Sequence, residues 1–390
     1  MAAVTPLGHT PEMLWAAIRA DQQLADRGII SPEVILRLRT QARADAGALG
    51  FPYHSQHAEW PGNSIAQRVD CLTPRCTLPP MDQLDRSIEL GIMACLQALT
   101  QARWTADICA NGDTALFVAT SKGPILRLLE ACAVQHGGGQ LSESLAWHIA
   151  LGPAALQTVL TNMINPGGPV QTHVAACAGS LVAMHRACHG ISRGEFKRAI
   201  IVAADASIHP LFEHSFENLG VFAPPDESGH RHCRPFNASG SGFFMSEAAA
   251  AVCLQAGEGG SVEVENCLLL ADGTHLLAID PVGTSLERGL RACAAAKEVA
   301  FVHAHAAGTQ HDQVELAAIG RACGAEAAVF SHKRWLGHSL GASGLVGVVI
   351  STLCHQHGEL PTGQGISRPA RSITVGQGFG GHIGMCVLAG

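Results

Sequence analysis

The feature that most restricts what this chain can fold into is an alternation of short apolar runs with longer segments whose helical faces carry Ala, Gly, Ser and Cys on more than one side. Runs at 115–120, 172–176, 199–204, 249–254, 262–271, 300–304, 327–331, 373–376 and 383–389 have the length of strands. Helical patterns at 11–19, 81–101, 124–134, 178–191, 285–296, 312–323 and 341–355 are interspersed with them. Strands separated by helices predict an α/β protein. Helices with small residues all round predict close packing on both sides, as in a layered fold with buried central helices. Loops are expected at 50–80, which holds five prolines, and at 224–241, rich in Gly, Asn, Ser and His. The segment Gln255-Ala-Gly-Glu-Gly-Gly-Ser261 interrupts two strand patterns, so a division into halves 1–255 and 256–390 is expected there.

Composition removes several classes of function. A length of 390 residues suffices for two or three domains or one large layered unit. With 47% hydrophobic residues, only 15% charged and 5% aromatic, and 43 glycines, the chain reads as neither disordered nor coiled coil. A net charge of −7, 25 Lys and Arg in all and no basic run exclude nucleic acid as the main partner. The 14 cysteines are spread evenly, form no Cys-x-x-Cys, and often sit in apolar runs such as Ile92-Met-Ala-Cys95-Leu. Reduced, buried thiols of a cytoplasmic protein are the expectation. The N-terminus lacks the pattern of a signal peptide, and the longest apolar stretch, 341–354, is shorter than a membrane span, so no membrane span is expected.

Four segments carry candidate chemistry. In Thr172-His-Val-Ala-Ala-Cys177-Ala-Gly-Ser-Leu a cysteine leaves a short strand just before a helix with apolar residues Leu181, Met184, Cys188 and Ile191. The positive end of the helix dipole and its free N–H groups favour a thiolate there, which suits a nucleophile. A cysteine among alanines is more often an inert core residue. His303 and His305 share a strand face ahead of His311 and Asp312, a pattern open to a metal reading, though no third ligand stands at a usual spacing. Gly337-His-Ser339-Leu-Gly341 matches the Gly-x-Ser-x-Gly nucleophile elbow. Chain order opposes a hydrolase: no Asp follows Ser339 and Glu359 is the sole later carboxylate. Gly376-Gln-Gly-Phe379-Gly-Gly381 leads into a strand and not a helix, so it is no dinucleotide loop. Its glycines let backbone N–H groups approach a reacting centre, and such a turn can complete an oxyanion hole.

Taken together these segments resemble the β-ketoacyl-acyl carrier protein synthases, the ketosynthases of the thiolase superfamily. Ala-Ala-Cys177-Ala-Gly-Ser-Leu looks like the nucleophile loop, and 234–248, Arg234-Pro-Phe-Asn through Ser246-Glu-Ala, is similar to "RPFD…GFV.GEGA". His305-Ala-Ala-Gly-Thr309 with Asp312 and Glu315 resembles "HGTGT…D..E", Lys333 to His338 "K…GH", and 378–381 "GFGG"; Ala3-Val-Thr-Pro-Leu-Gly8 matches the usual opening. The resemblance implies a thiolase fold, a five-layered αβαβα sandwich of two similar halves, and decarboxylative Claisen condensation of an acyl thioester with malonyl-acyl carrier protein. It implies Cys177 as acylated nucleophile, the N–H groups of Cys177 and Phe379 as oxyanion hole, and His305 and His338 as donors to the developing enolate. Lys333 and Glu315 would position His305, Phe379 would gate an acyl tunnel and Thr309 would contact pantetheine. No metal or redox cofactor is implied. An acyl carrier protein delivers the substrates, and a homodimer or a heterodimer with a second ketosynthase-like chain is implied. Arg68 and Arg75 are candidates for a basic patch facing the acidic carrier.

Departures from the pattern point to a specialised member. Ala307 stands for the first Thr of "HGTGT", His382 for the Thr after "GFGG", Gln377 for a Phe, and Ser246-Glu247-Ala248 for Gly-Glu-Gly. The chain begins inside the family's first strand, and 257–300 is short. A type II polyketide or polyene pathway fits this set better than fatty-acid elongation. A chain-length-factor-like subunit and an acyltransferase of the same fold, forming an ester or amide, are the alternatives.

Overall fold

The computed structural model describes residues 1–24, 28–49, 83–257, 260–295 and 297–390; the expected loop 50–80, with Arg68 and Arg75, lies outside them. Among the described residues, ten strands form two five-stranded sheets. The first contains β1 (Ala2–Val4), β2 (Thr114–Ala119), β3 (Val170–His173), β4 (Arg198–Asp205) and β5 (Ala248–Gln255) in the order β1-β5-β4-β2-β3. The second contains β6 (Glu263–Ala271), β7 (Phe301–His303), β8 (Ala328–Phe330), β9 (Arg371–Gly378) and β10 (His382–Ala389) in the order β6-β10-β9-β7-β8. Counted from its own first strand, each sheet reads 1-5-4-2-3. In both, the first two pairings are antiparallel and the last two parallel. The two halves are thus topological copies.

Five layers follow from which faces are apolar. In β4 the side chains of Ile200, Val202 and Ala204 join one core, and those of Ala199, Ile201 and Ala203 join another. A strand buried on both faces must be apolar throughout, which is why its sequence reads Arg-Ala-Ile-Ile-Val-Ala-Ala-Asp without alternation. The helix Arg86–Ala102 covers the outer face of the first sheet. Helices Gly179–Ser192 and Ser343–His357 lie between the sheets, and Thr284–Ala294 with His311–Cys323 covers the second sheet. The order is αβαβα. Small residues make the central layer thin: a Cβ on Gly384 would stand 2.7 Å from Leu181 Cβ, and one on Gly344 2.8 Å from Leu181 Cγ.

Helix Pro11–Arg19 has the expected bounds and is capped by the Thr10 side chain. The run expected at 172–176 ends as a strand at His173, because the chain turns sharply at 175–177. The expected helix 81–101 is described only from Arg86, where Asp85 caps it. Helices Pro32–Leu49, Ala106–Ala110, Glu143–Leu151, Ala155–Ile164, Pro210–Asn218 and Lys333–Leu336 went unforeseen. Several are short or weakly periodic and are held by tertiary packing. Among the described residues no helix is long and apolar enough to cross a membrane.

Candidate active site

Cys177 stands at a backbone elbow. Ala176, just before it, has φ of 46°, a left-handed conformation uncommon for a residue with a side chain. The turn ends β3 and opens the Gly179–Ser192 helix, so the thiol is presented at the helix N-terminus. It reaches a cavity of about 720 Å³ whose wall includes His305, His338, Thr309, Gln377 and Phe379. The geometry corrects one expectation: burial outweighs the helix end and pushes the thiol up to about 11, although Lys333 and Lys122 pull the other way. The resting group is a thiol, not a thiolate.

Both expected imidazoles reach this sulfur's neighbourhood. His338 Nε2 lies 3.1 Å from Cys177 Sγ, and the rings of His305 and His338 stand edge to face with centroids 5.4 Å apart. Phe243 sets the His338 ring by a perpendicular contact at 5.0 Å. The Gln377 N–H donates to His305 Nδ1 at 3.2 Å, which leaves Nε2 to carry the proton of the neutral ring. Burial first, and the Lys333 charge second, hold both rings well below the ordinary histidine range. His338 Nδ1 is buried without a partner.

Lys333 and Glu315 hydrogen-bond to the backbone of His305 and not to its ring. The Lys333 ammonium donates to the His305 carbonyl, while the Glu315 carboxylate accepts the N–H groups of His305 and Ala306, each at 2.8 Å. Lys333 is 1% exposed. Burial lowers its pKa against the pull of Glu315, and burial pushes Glu315 up to about 7. Asp312 shapes the next turn, accepting from Ala307, Gly308 and Thr309 N–H groups at 3.1, 2.9 and 3.3 Å. It also accepts the Phe236 N–H, tying the 234–241 loop to the same turn.

The turn after β9 meets the nucleophile elbow almost backbone to backbone. A Cβ on Gly378 would lie 2.9 Å from Ala175 O and 3.1 Å from Cys177 N. Only glycine permits that approach, and it places Phe379 beside Cys177 on the cavity wall. The His-x-His pair divides its labour: His303 Nδ1 meets Ser351 Oγ at 3.0 Å and its Nε2 accepts the His332 N–H, while His305 faces the cavity. The two rings share no ligand position. Ser339, the elbow serine of the rival reading, is 3% exposed and begins a tight turn beside His338.

Sequence reasoning missed the aromatic wall made by Phe216, Phe222 and Phe243, and the part played by Gln377. Phe243-Phe244 was visible inside a motif, but nothing local says that Phe243 touches a histidine 95 positions further on.

A thiol at a helix start, two neutral imidazoles beside it and two topologically equal halves define the thiolase-fold condensing class. The β-ketoacyl synthase N-terminal domain model matches residues 1–258 and the C-terminal domain model residues 263–366. The chain belongs to the β-ketoacyl synthase family, whose condensing enzymes transfer acyl groups. It is similar to a putative polyketide β-ketoacyl synthase 1 of Streptomyces cyaneus, 28% identical over 80% of this chain and 83% of the relative. One from Streptomyces halstedii is 28% identical over 62% of this chain and 66% of that protein. Among solved structures, the ishigamide ketosynthase/chain length factor superposes with a TM-score of 0.75 at 21% identity, over 100% of this chain and 97% of that one. A type II acyl-carrier protein–ketosynthase complex, AntDE:AntF, gives 0.75 at 17% identity over 100% and 97%. At these identities the structures share the fold.

Proposed function

We propose that this chain is a β-ketoacyl-acyl carrier protein synthase of a type II polyketide or polyene pathway, condensing an acyl group held on Cys177 with malonyl-acyl carrier protein. The observation that carries this reading is the 3.1 Å approach of His338 Nε2 to Cys177 Sγ at a cavity that also holds His305. Residues 1–255 then form the half that bears the nucleophile and residues 256–390 the half that bears the histidines.

The chemistry runs in two balanced stages. In the first, Cys177 sulfur attacks the incoming acyl thioester, and its proton passes by way of His338 to the departing pantetheine thiol. The N–H groups of Cys177 and Phe379 receive the transient oxyanion. In the second, His305 Nε2–H donates to the malonyl thioester oxygen, and His338 joins it once its one ring proton has moved to Nε2. The bond to the carboxylate breaks, carbon dioxide leaves, and the electron pair enters an enolate. Its carbon attacks the Cys177 thioester, the new carbon–carbon bond forms and the Cys177 thiolate departs, taking up one proton from solvent to return to the resting thiol. Lys333 and Glu315 position His305 through its peptide groups; Thr309 contacts the pantetheine arm, and Phe379 gates the acyl path. The chain supplies every acid and base itself, and no metal or redox cofactor takes part. Its partners are an acyl carrier protein and a second ketosynthase-like chain, itself or a homologue, and its place is the cytoplasm.

Intact-protein mass spectrometry with acyl- and malonyl-acyl carrier protein tests this. An acyl adduct lost in Cys177→Ala, together with carbon dioxide release, is expected. No adduct, or one that survives the substitution, overturns the reading, as does a subunit that only shapes a partner's tunnel. An adduct that passes to an alcohol or amine without carbon dioxide release identifies the acyltransferase alternative.

A further inference from the structure

Gln377 is an oddity of the cavity wall. It is the next-to-last residue of β9, and its backbone N–H is engaged with His305. Alternation along β9 sets its side chain on the face of Ile373 and Val375, toward the helices that cover the second sheet. Gly378, one residue on, faces the Cys177 elbow instead. The Gln377 side chain therefore lies across the end of β9 from the nucleophile, on the side of the 305–311 turn.

There Gln377 is 2% exposed, and neither its side-chain oxygen nor its nitrogen makes a well-formed hydrogen bond. A buried primary amide with both atoms unpaired is unfavourable unless something brings the missing partners. His311 stands beside it, close enough that the amide favours the protonated ring, yet His311 Nε2 is also buried without a well-formed bond. Ala278, Pro281, Ala307 and Val314 offer apolar side chains in this part of the wall, beside Thr309 and Gln310. Asp272, Asp280 and Asp312 all bear on His311 electrostatically. A negative ligand is disfavoured in such a field, and a neutral group with hydrogen-bonding atoms is favoured.

We infer that Gln377, with His311 behind it, is the binding site for the secondary amide that lies two carbons from the sulfur of the carrier-borne thioester. The assignment rests on the condensing-enzyme reading. That arm enters the cavity with its sulfur at Cys177 and His305, and its first amide is the neutral polar group nearest the reacting carbonyl. With Thr309 left to the pantetheine arm further out, the Gln377 carboxamide both satisfies that first amide and is satisfied by it.

The test compares Cys177 acylation, followed by intact mass, from two hexanoyl thioesters of matched length: that of N-acetylcysteamine, which carries the amide, and that of pentanethiol, which does not. The wild-type chain is expected to prefer the amide thioester by at least about tenfold in rate over concentration, since one lost hydrogen bond of this kind is worth about that factor. In Gln377→Leu, and in the better space-filling Gln377→Met, the preference should collapse to within about twofold. An undiminished preference in a folded variant overturns the assignment. Loss of malonyl decarboxylation with the preference untouched overturns it too, by placing the extender carboxylate there. Failure of both thioesters to acylate wild-type Cys177 sinks the condensing-enzyme reading, and this assignment with it.

Discussion

His338 Nε2 sits 3.1 Å from Cys177 Sγ, yet burial keeps the ring neutral and the thiol protonated, so the pair is poised to form charge during attack and holds none at rest. This differs from a preformed thiolate–imidazolium pair, in which the nucleophile is charged before substrate arrives.

Alkylation of Cys177 by iodoacetamide should therefore track a thiol that titrates near 11. Because only the thiolate reacts, the rate should climb about tenfold per pH unit from 7 to 10. Peptide mass mapping of the Cys177 fragment measures it separately from exposed Cys132. A plateau below pH 8 would instead reveal an ion pair at rest.

Lys333→Met removes the donor to the His305 carbonyl while filling the buried space. His305 then loses one of the two side chains that fix its peptide groups, and a shift of about 1 Å costs about a hundredfold in rate. Malonyl decarboxylation should fall by about that factor with the Michaelis constant for the carrier substrate within about twofold. Cys177 should still acylate, since His338 stays beside the thiol, but more slowly at a given pH because the Lys333 charge no longer favours the thiolate.

Gly378→Ala places a methyl group 3.1 Å from Cys177 N and 2.9 Å from Ala175 O. The turn bearing Phe379 must withdraw from the elbow. Acyl-enzyme formation, followed by stopped-flow or quench mass spectrometry, should slow by about a hundredfold, with unfolding stability changed far less than the rate.

Glu247 is a structural anchor. Its carboxylate accepts the Ile30 N–H at 2.6 Å and the Arg86 guanidinium at 2.8 Å, with 5% of the residue exposed. Glu247→Ala strands a buried N–H and takes from Arg86 the nearer of its two carboxylates, leaving Glu89 at 3.6 Å, and should cost about 2 kcal/mol in denaturant unfolding. Glu247→Gln, which keeps one acceptor, should cost less.

Much of this was legible along the chain. The two-sided burial of β4 shows in its unbroken apolar run, and the small residues of 178–191 and 341–355 announce helices packed on both sides. Cys177, His305 and His338 stood out because each adjoins glycine or alanine at the edge of an apolar segment, in an order that resembles one family. The unforeseen helices lacked that contrast: Glu143–Leu151 is apolar on most sides and Lys333–Leu336 is a single turn.

Local pattern thus dictated the layers, the strand faces and the cast of reactive residues, because strand and helix periods act over a few neighbouring positions. Folding alone settled what those residues do. Cys177 and His338 are 161 positions apart and meet only when the two halves close on one another, while Gln377 and His305 are 72 apart and meet only when β9 pairs with β7 in the second sheet. The protonation of the thiol belongs to the same level: burial by distant segments overrode the nearby helix end, and no window of sequence contains that burial.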